Sequence, residues 1–211
     1  MTGSAFLLIA LALVAAVADW IAVDQDRKSV EYLCKPLTLV LLVTAALALD
    51  PAEPAVRSWF VAALVLSLAG DVFLMLPQDL FVPGLASFLL GHVAYVVGFA
   101  HDDMSVSRLG FGLVIVALAI TVIGLPILRA VRVGEEPELG TPVLAYMLVI
   151  SLMVACAIGV GSPLAIGGAV LFYASDSLIA WNRFVGETRK GRLAIMSTYH
   201  LAQVGLVLSL I

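Results

Sequence analysis

The sequence predicts an all-α membrane protein, a single bundle of about eight transmembrane helices. Three observations carry that reading. Hydrophobic side chains make up 63% of the 211 residues and charged ones only 12%, against about 45–50% and about 25% in a soluble domain. The mean hydropathy is +1.13. The apolar residues come in runs close to the ~20 that a membrane helix needs, separated by short charged or proline-bearing connections. So little charge cannot cover a water-facing surface, which excludes a soluble enzyme, a disordered chain and a nucleic-acid module. The runs also lack the alternation of an outer-membrane barrel.

Taken in order, the expected spans are 4–23, 33–49, 57–76, 80–100, 109–128, 139–158, 162–183 and 193–211. Pro51, Pro54, Pro77, Pro137 and Pro163 fall at or between them, where helices break. No connection is long enough to separate two soluble domains, so residues 1–211 read as one transmembrane helical domain. Ala16-Val17-Ala18 imitates a signal-cleavage site, but no Lys or Arg precedes it and more spans follow, so the first helix is expected to be retained. Connections after the odd-numbered spans hold eight of the eleven Lys and Arg residues and those after the even-numbered ones hold two, with Lys35 inside the second span. The basic face is therefore expected in the cytoplasm and both termini outside. The Ala- and Val-rich composition points to a bacterial cytoplasmic membrane. The net charge of −4 adds nothing to this.

Ionisable groups inside spans are the informative exceptions, since each costs about 2.5–3.5 kcal/mol at a helix centre on insertion scales. They are Lys35, Asp71, His92, Asp176 and His200, joined by Tyr95, Tyr146, Tyr173, Asn182, Tyr199 and Gln203. At 1.5 Å per residue, Asp71 and Asp176 lie roughly 8 and 10 Å from the cytoplasmic ends of their helices, and Tyr199 and His200 about 9–11 Å. Lys35 enters from the same side, and His92 is deeper, at about 18 Å. Costly groups from distant parts of the chain thus share one slab of the membrane, which predicts a polar cavity open to the cytoplasmic leaflet. Faces agree: Tyr173, Asp176, Ala180 and Arg183 fall on one side of a helix, as do His92, Tyr95 and Phe99, and Tyr199 with Gln203. Gly70 and Gly91, beside Asp71 and His92, would let helices approach closely.

Plainer readings exist for each group. Lys35 can snorkel to the interface, the aspartates can pair structurally with Lys35 and Arg183, and the histidines can be packing residues. Arg189-Lys190-Gly191-Arg192 serves as a topology signal, and His101-Asp102-Asp103 reads as an outer loop. Cys34 and Cys156 lie in or beside apolar runs and read as packing residues. With so few histidines, no metal or other cofactor is expected. Asp71 and Asp176 are 105 residues apart, Pro36 and Pro142 are 106, and His92 and His200 are 108. That spacing suggests a faint 4+4 parallel repeat.

Five segments resemble, in order, the motifs of the lysoplasmalogenase family of multi-pass membrane proteins. They are Lys35-Pro36-Leu37-Thr38, Gly70-Asp71-Val72-Phe73-Leu74, Phe88 through Tyr95, Ser175-Asp176 with Arg183-Phe184, and Tyr199-His200-Leu201-Ala202-Gln203. His200 departs from the pattern, which has a second tyrosine there, so its role is not inferred from the family. The resemblance implies a hydrolase that cleaves the vinyl-ether bond of lysoplasmalogens to a fatty aldehyde and glycerophospho-ethanolamine or -choline, with a lysophospholipid substrate in the bilayer. Enol-ether hydrolysis protonates a carbon and captures an oxocarbenium ion with water, work suited to a pair of carboxyl groups. Asp71 and Asp176 are the expected pair, with either as the acid. Lys35 is expected at the cavity mouth, with His92, Tyr95, Tyr173, Arg183, Tyr199 and Gln203 supporting. A hydrolase of another lysolipid and a proton-coupled transporter are the alternative readings.

Overall fold

The computed structural model describes residues 3–51 and 53–211. Among them, eight helices follow one another: α1 (Gly3–Asp24), α2 (Lys28–Ala48), α3 (Pro54–Met75), α4 (Phe81–Ala100), α5 (Val106–Val133), α6 (Pro137–Val160), α7 (Pro163–Phe184) and α8 (Gly191–Leu208). No strand occurs among the described residues. Each helix matches one expected span. Seven are long and apolar enough to cross a membrane. The exception is α8, whose apolar residues are diluted by Arg192, Tyr199, His200 and Gln203. It packs on α7, α1, α2 and α3, so protein rather than lipid receives its polar face.

Local chemistry sets the helix ends. Pro54, Pro137 and Pro163 open their helices, where a missing N–H costs nothing. The Ser105 and Ser162 hydroxyls accept the N–H groups of Arg108 and Ala165. Helix α2 begins five residues earlier than expected because its charged first turn is anchored: Glu31 pairs with Lys28 at 3.3 Å and Arg192 at 2.8 Å. Within α5 the segment Ile120–Gly124 is a π turn, in which the Leu125 N–H bonds to the Ile120 carbonyl. Pro126 follows and has no N–H for the Val122 carbonyl, and the wider turn accommodates it.

Polar contacts mark the two ends of the bundle. Arg192 ties the start of α8 to Asp26 and Glu31 between and within α1 and α2, and Arg183 ties the end of α7 to Asp79 and Glu136 before α4 and α6. At the opposite end, Arg108 donates to the Gly159 and Val160 carbonyls. The start of α1 and the end of α8 therefore both lie at the Arg108 end.

Lipid tails are as apolar as leucine, so helix association in a bilayer rests on close packing and internal hydrogen bonds. Close packing is clearest between α7 and α8, where a Cβ at Gly168 would lie 2.9 Å from the Ala202 carbonyl oxygen. Phe60, Leu64, Tyr95, Phe99 and Phe172 fill the centre, while Leu7, Val14, Phe111 and Val122 face outward. Cys34 and Cys156 are buried and free. Consecutive helices pair as hairpins, as short connections dictate, except that α4 leaves α5 and packs on α6 instead. The 4+4 repeat gains no support: His92 bonds Asp176, whereas its counterpart His200 meets Trp20 instead of Asp71.

Candidate active site

Two carboxylates, Asp71 fully buried and Asp176 partly buried, stand in different settings. Asp71, from α3, has its Oδ1 3.2 Å from Lys35 Nζ on α2, and its Oδ2 accepts the Tyr199 hydroxyl of α8 at 2.7 Å. Both oxygens are thus engaged. Asp176, from α7, receives its bonds on Oδ2 alone. The Tyr146 hydroxyl of α6 donates to it, and His92 Nε2 of α4 lies 3.0 Å away and 2.9 Å from the Tyr146 oxygen. Behind them, the Tyr95 hydroxyl donates to Gln203 Oε1 at 2.6 Å.

Phe172, fully buried, joins the two settings. Its ring meets His92 edge-on at 4.6 Å and Tyr199 at 5.3 Å between centroids. One helical turn separates Phe172 from Asp176, so α7 carries both the carboxylate and the aromatic brace. Gly70 makes room for the Phe88 ring, since a Cβ there would lie 2.6 Å from it. Asp71, the next residue, reaches α2 through Lys35 and α8 through Tyr199.

Both carboxylates open on one polar cavity of about 460 Å³. Lys28, Glu31, Arg183 and Arg192 surround its mouth. A narrower apolar pocket of about 60 Å³, lined by Leu85, Ile127, Val143, Met147 and Ile150 among others, adjoins it. The two share Leu74, Phe81, Phe88, Asp176 and Ile179. Asp176 therefore stands where an apolar channel meets a charged chamber.

The expected site residues fall as follows. Asp71, Asp176, Lys35, His92 and Tyr199 come together in the two hydrogen-bonded groups. Tyr95 and Gln203 form the layer behind, and Tyr173 lines the apolar pocket. Lys35 is buried against Asp71, deeper than the mouth where the sequence reading placed it. Arg183 lines the chamber, but Asp79 and Glu136 occupy its guanidinium, which also stacks 4.0 Å over the Phe81 ring centroid. It pairs with these loop acids and not with Asp176. Sequence reasoning passed over the function of Tyr146, which it counted only as a hydrogen-bonding group, and of Phe172, which no polarity marked. It also passed over Asp19, an acid five residues inside the end of α1 and fully buried. The cost of an acid at that depth was the available signal.

The sequence profile described as the YhhN family matches residues 30–210. The chain belongs to the YhhN family. Among YhhN relatives, it is 34% identical to Lysoplasmalogenase TMEM86B of Mus musculus over 191 residues, 90% of this chain and 79% of that protein. The Homo sapiens protein of the same name is 35% identical over 147 residues, 70% of this chain and 61% of the human one. A protein named Lysoplasmalogenase from Mycobacterium bovis is 33% identical over 171 residues, 78% of this chain and 64% of that one. This chain thus spans less than two thirds of the human and mycobacterial relatives. No solved structure matches it. Every residue of the two carboxylate groups, from Lys35 to Tyr199, lies inside the YhhN match, whereas Asp19 and Trp20 precede it.

Proposed function

We propose that this YhhN-family protein is a membrane-embedded hydrolase that cleaves the vinyl-ether bond of lysoplasmalogens, releasing a fatty aldehyde and glycerophospho-ethanolamine or -choline. One observation carries the reading. Asp71 and Asp176 open on a single cavity in unlike settings, and Asp176 sits at its junction with an apolar pocket. A lysolipid has the matching shape, with a charged head, one chain and the enol ether between them. The chamber lining holds four basic residues (Lys28, Lys35, Arg183, Arg192) and four acidic ones (Glu31, Asp71, Asp79, Asp176), a balance suited to a zwitterionic headgroup. The names of the relatives point to the same substrate.

The hydrogen bonds divide the work. Both bonds to Asp176 fall on Oδ2, leaving Oδ1 to carry a proton. Asp176 gives that proton to the β-carbon of the enol ether, the C=C pair forms the new C–H bond, and an oxocarbenium ion remains. Asp71, with both oxygens accepting, is the carboxylate that steadies the cation and takes a proton from the attacking water. The product is a hemiacetal. Asp71 then returns its proton to the departing glycerol oxygen, and Asp176 recovers one from the hemiacetal hydroxyl as the aldehyde forms. The sum is vinyl ether plus water to aldehyde plus alcohol. The chain enters sideways from the bilayer, and the chamber mouth faces the cytoplasm with both termini outside.

The test offers purified protein a vinyl-ether lysophosphatidylethanolamine beside its alkyl-ether and acyl counterparts. Aldehyde is expected from the vinyl ether alone. Asp71→Asn and Asp176→Asn should each lower the rate by about 10²–10⁴-fold. Fatty acid from the acyl lipid, or either variant near wild-type turnover, would overturn the proposal.

A further inference from the structure

Asp19 is the buried charge that the reaction above does not use. It lies on α1, fully buried, and neither of its carboxylate oxygens has a hydrogen-bond partner among the described residues. An unpaired carboxylate in such a place is costly unless something compensates it. Its strongest charged neighbour is Lys35, ahead of Glu31, Asp71 and Arg192. The hairpin geometry explains why. Asp19 stands five residues before the end of α1 and Lys35 seven after the start of α2, so the two lie at similar depth on packed antiparallel helices. Lys35 and Asp71 line the chamber and Asp19 does not. Lys35 therefore has Asp71 on its chamber side, and Asp19 at similar depth on the packed α1.

This arrangement matters because the counter-ion of Lys35 does not keep its charge through the proposed cycle. Once Asp71 has taken the proton of the attacking water, it is neutral until the glycerol oxygen leaves. Lys35, with a side-chain exposure of 7%, would then be a buried cation without a partner. A lysine stem is long and flexible enough to turn between two nearby carboxylates.

We propose that Asp19 is a positioning residue that serves as the second counter-ion of Lys35, receiving the ammonium while Asp71 carries a proton and returning it when Asp71 is ionised again. The proposal rests on the reading of Asp71 as the group that accepts the water's proton. Asp19 touches no reacting atom. It acts through Lys35, and its loss slows the steps around the hemiacetal without weakening substrate binding. Residue 19 precedes the stretch matched to the YhhN family.

Two measurements on the full-length protein in detergent test it. The first compares aldehyde release by wild type, Asp19→Asn and Asp19→Glu. Asparagine keeps the shape and loses the charge, whereas glutamate keeps the charge and fits the packed site worse. A counter-ion predicts that Asn lowers kcat by about tenfold or more with KM within about twofold, and that Glu retains the higher kcat. A packing residue ranks the two variants the other way, and that order would overturn the proposal. The second is a double-mutant cycle on melting temperature. Lys35→Met strands Asp19 as a lone charge, so adding Asp19→Asn should recover part of the lost Tm. Additive losses would overturn the pairing. A wild type that releases no aldehyde would refute the hydrolase reading, and the Tm cycle would then decide the Asp19–Lys35 pairing by itself.

Discussion

Four helices supply the partners of the two aspartates, and each partner is a separate handle on the chemistry. Removing the Tyr146 hydroxyl takes a donor from Asp176, and removing the Tyr199 hydroxyl takes one from Asp71. A hydrogen bond to a charged group contributes about 1.5–3 kcal/mol, so Tyr146→Phe and Tyr199→Phe should each cost about 10- to 100-fold in kcat in the aldehyde assay. Phe172 touches no reacting atom, yet its ring bears on the partner of each carboxylate. Phe172→Ala should cost about 3–5 kcal/mol of stability, read as a lower melting temperature. Polar members of the site were legible in the sequence because polarity inside a span is expensive and stands out. Phe172 was illegible for the opposite reason, being one more apolar side chain among many. Asp19 was overlooked because it stands near the end of the first span, where an acid resembles a boundary.

At the scale of the helix, apolar runs place the elements well because length and hydropathy alone define a span. Differences arise where tertiary contacts overrule hydropathy. Helix α2 reaches back to Lys28 because Arg192, from the other end of the chain, anchors its first turn. The π turn in α5 answers to Pro126, one residue that a hydropathy window averages away. Helix α8 is polar enough to fall short of the other seven as a membrane span, and its polar face is buried against four neighbours. Packing of α7 on α8 depends on the absence of a side chain at Gly168. Gly168→Leu should push the helices apart and destabilise the bundle by about 1–3 kcal/mol, and thermal unfolding in detergent would show it. Activity should fall with it, since Asp176 and Tyr199 ride on these two helices.

The whole molecule is arranged around an interface between apolar and charged space. Its chamber opens at the end held by Arg183 and Arg192, which also carries most of the basic residues. That end should face the cytoplasm. In intact cells of a bacterial host, a cysteine at Asp102 should react with an impermeant thiol reagent, while one at Gly186 should be protected until the membrane is opened. The reverse pattern would invert the protein. Native Cys34 and Cys156 are buried and should contribute little background.

Acid-initiated hydrolysis of a vinyl ether by two carboxylates leaves an isotopic record in both products. Vinyl-ether lysophosphatidylethanolamine would be turned over by the purified protein in heavy water enriched in oxygen-18. Protonation at the β-carbon predicts one deuterium on the carbon next to the aldehyde, and attack on the oxocarbenium ion predicts that the glycerol product keeps its original oxygen. Oxygen-18 in the glycerol product, or aldehyde without that deuterium, would contradict the mechanism assigned to Asp71 and Asp176.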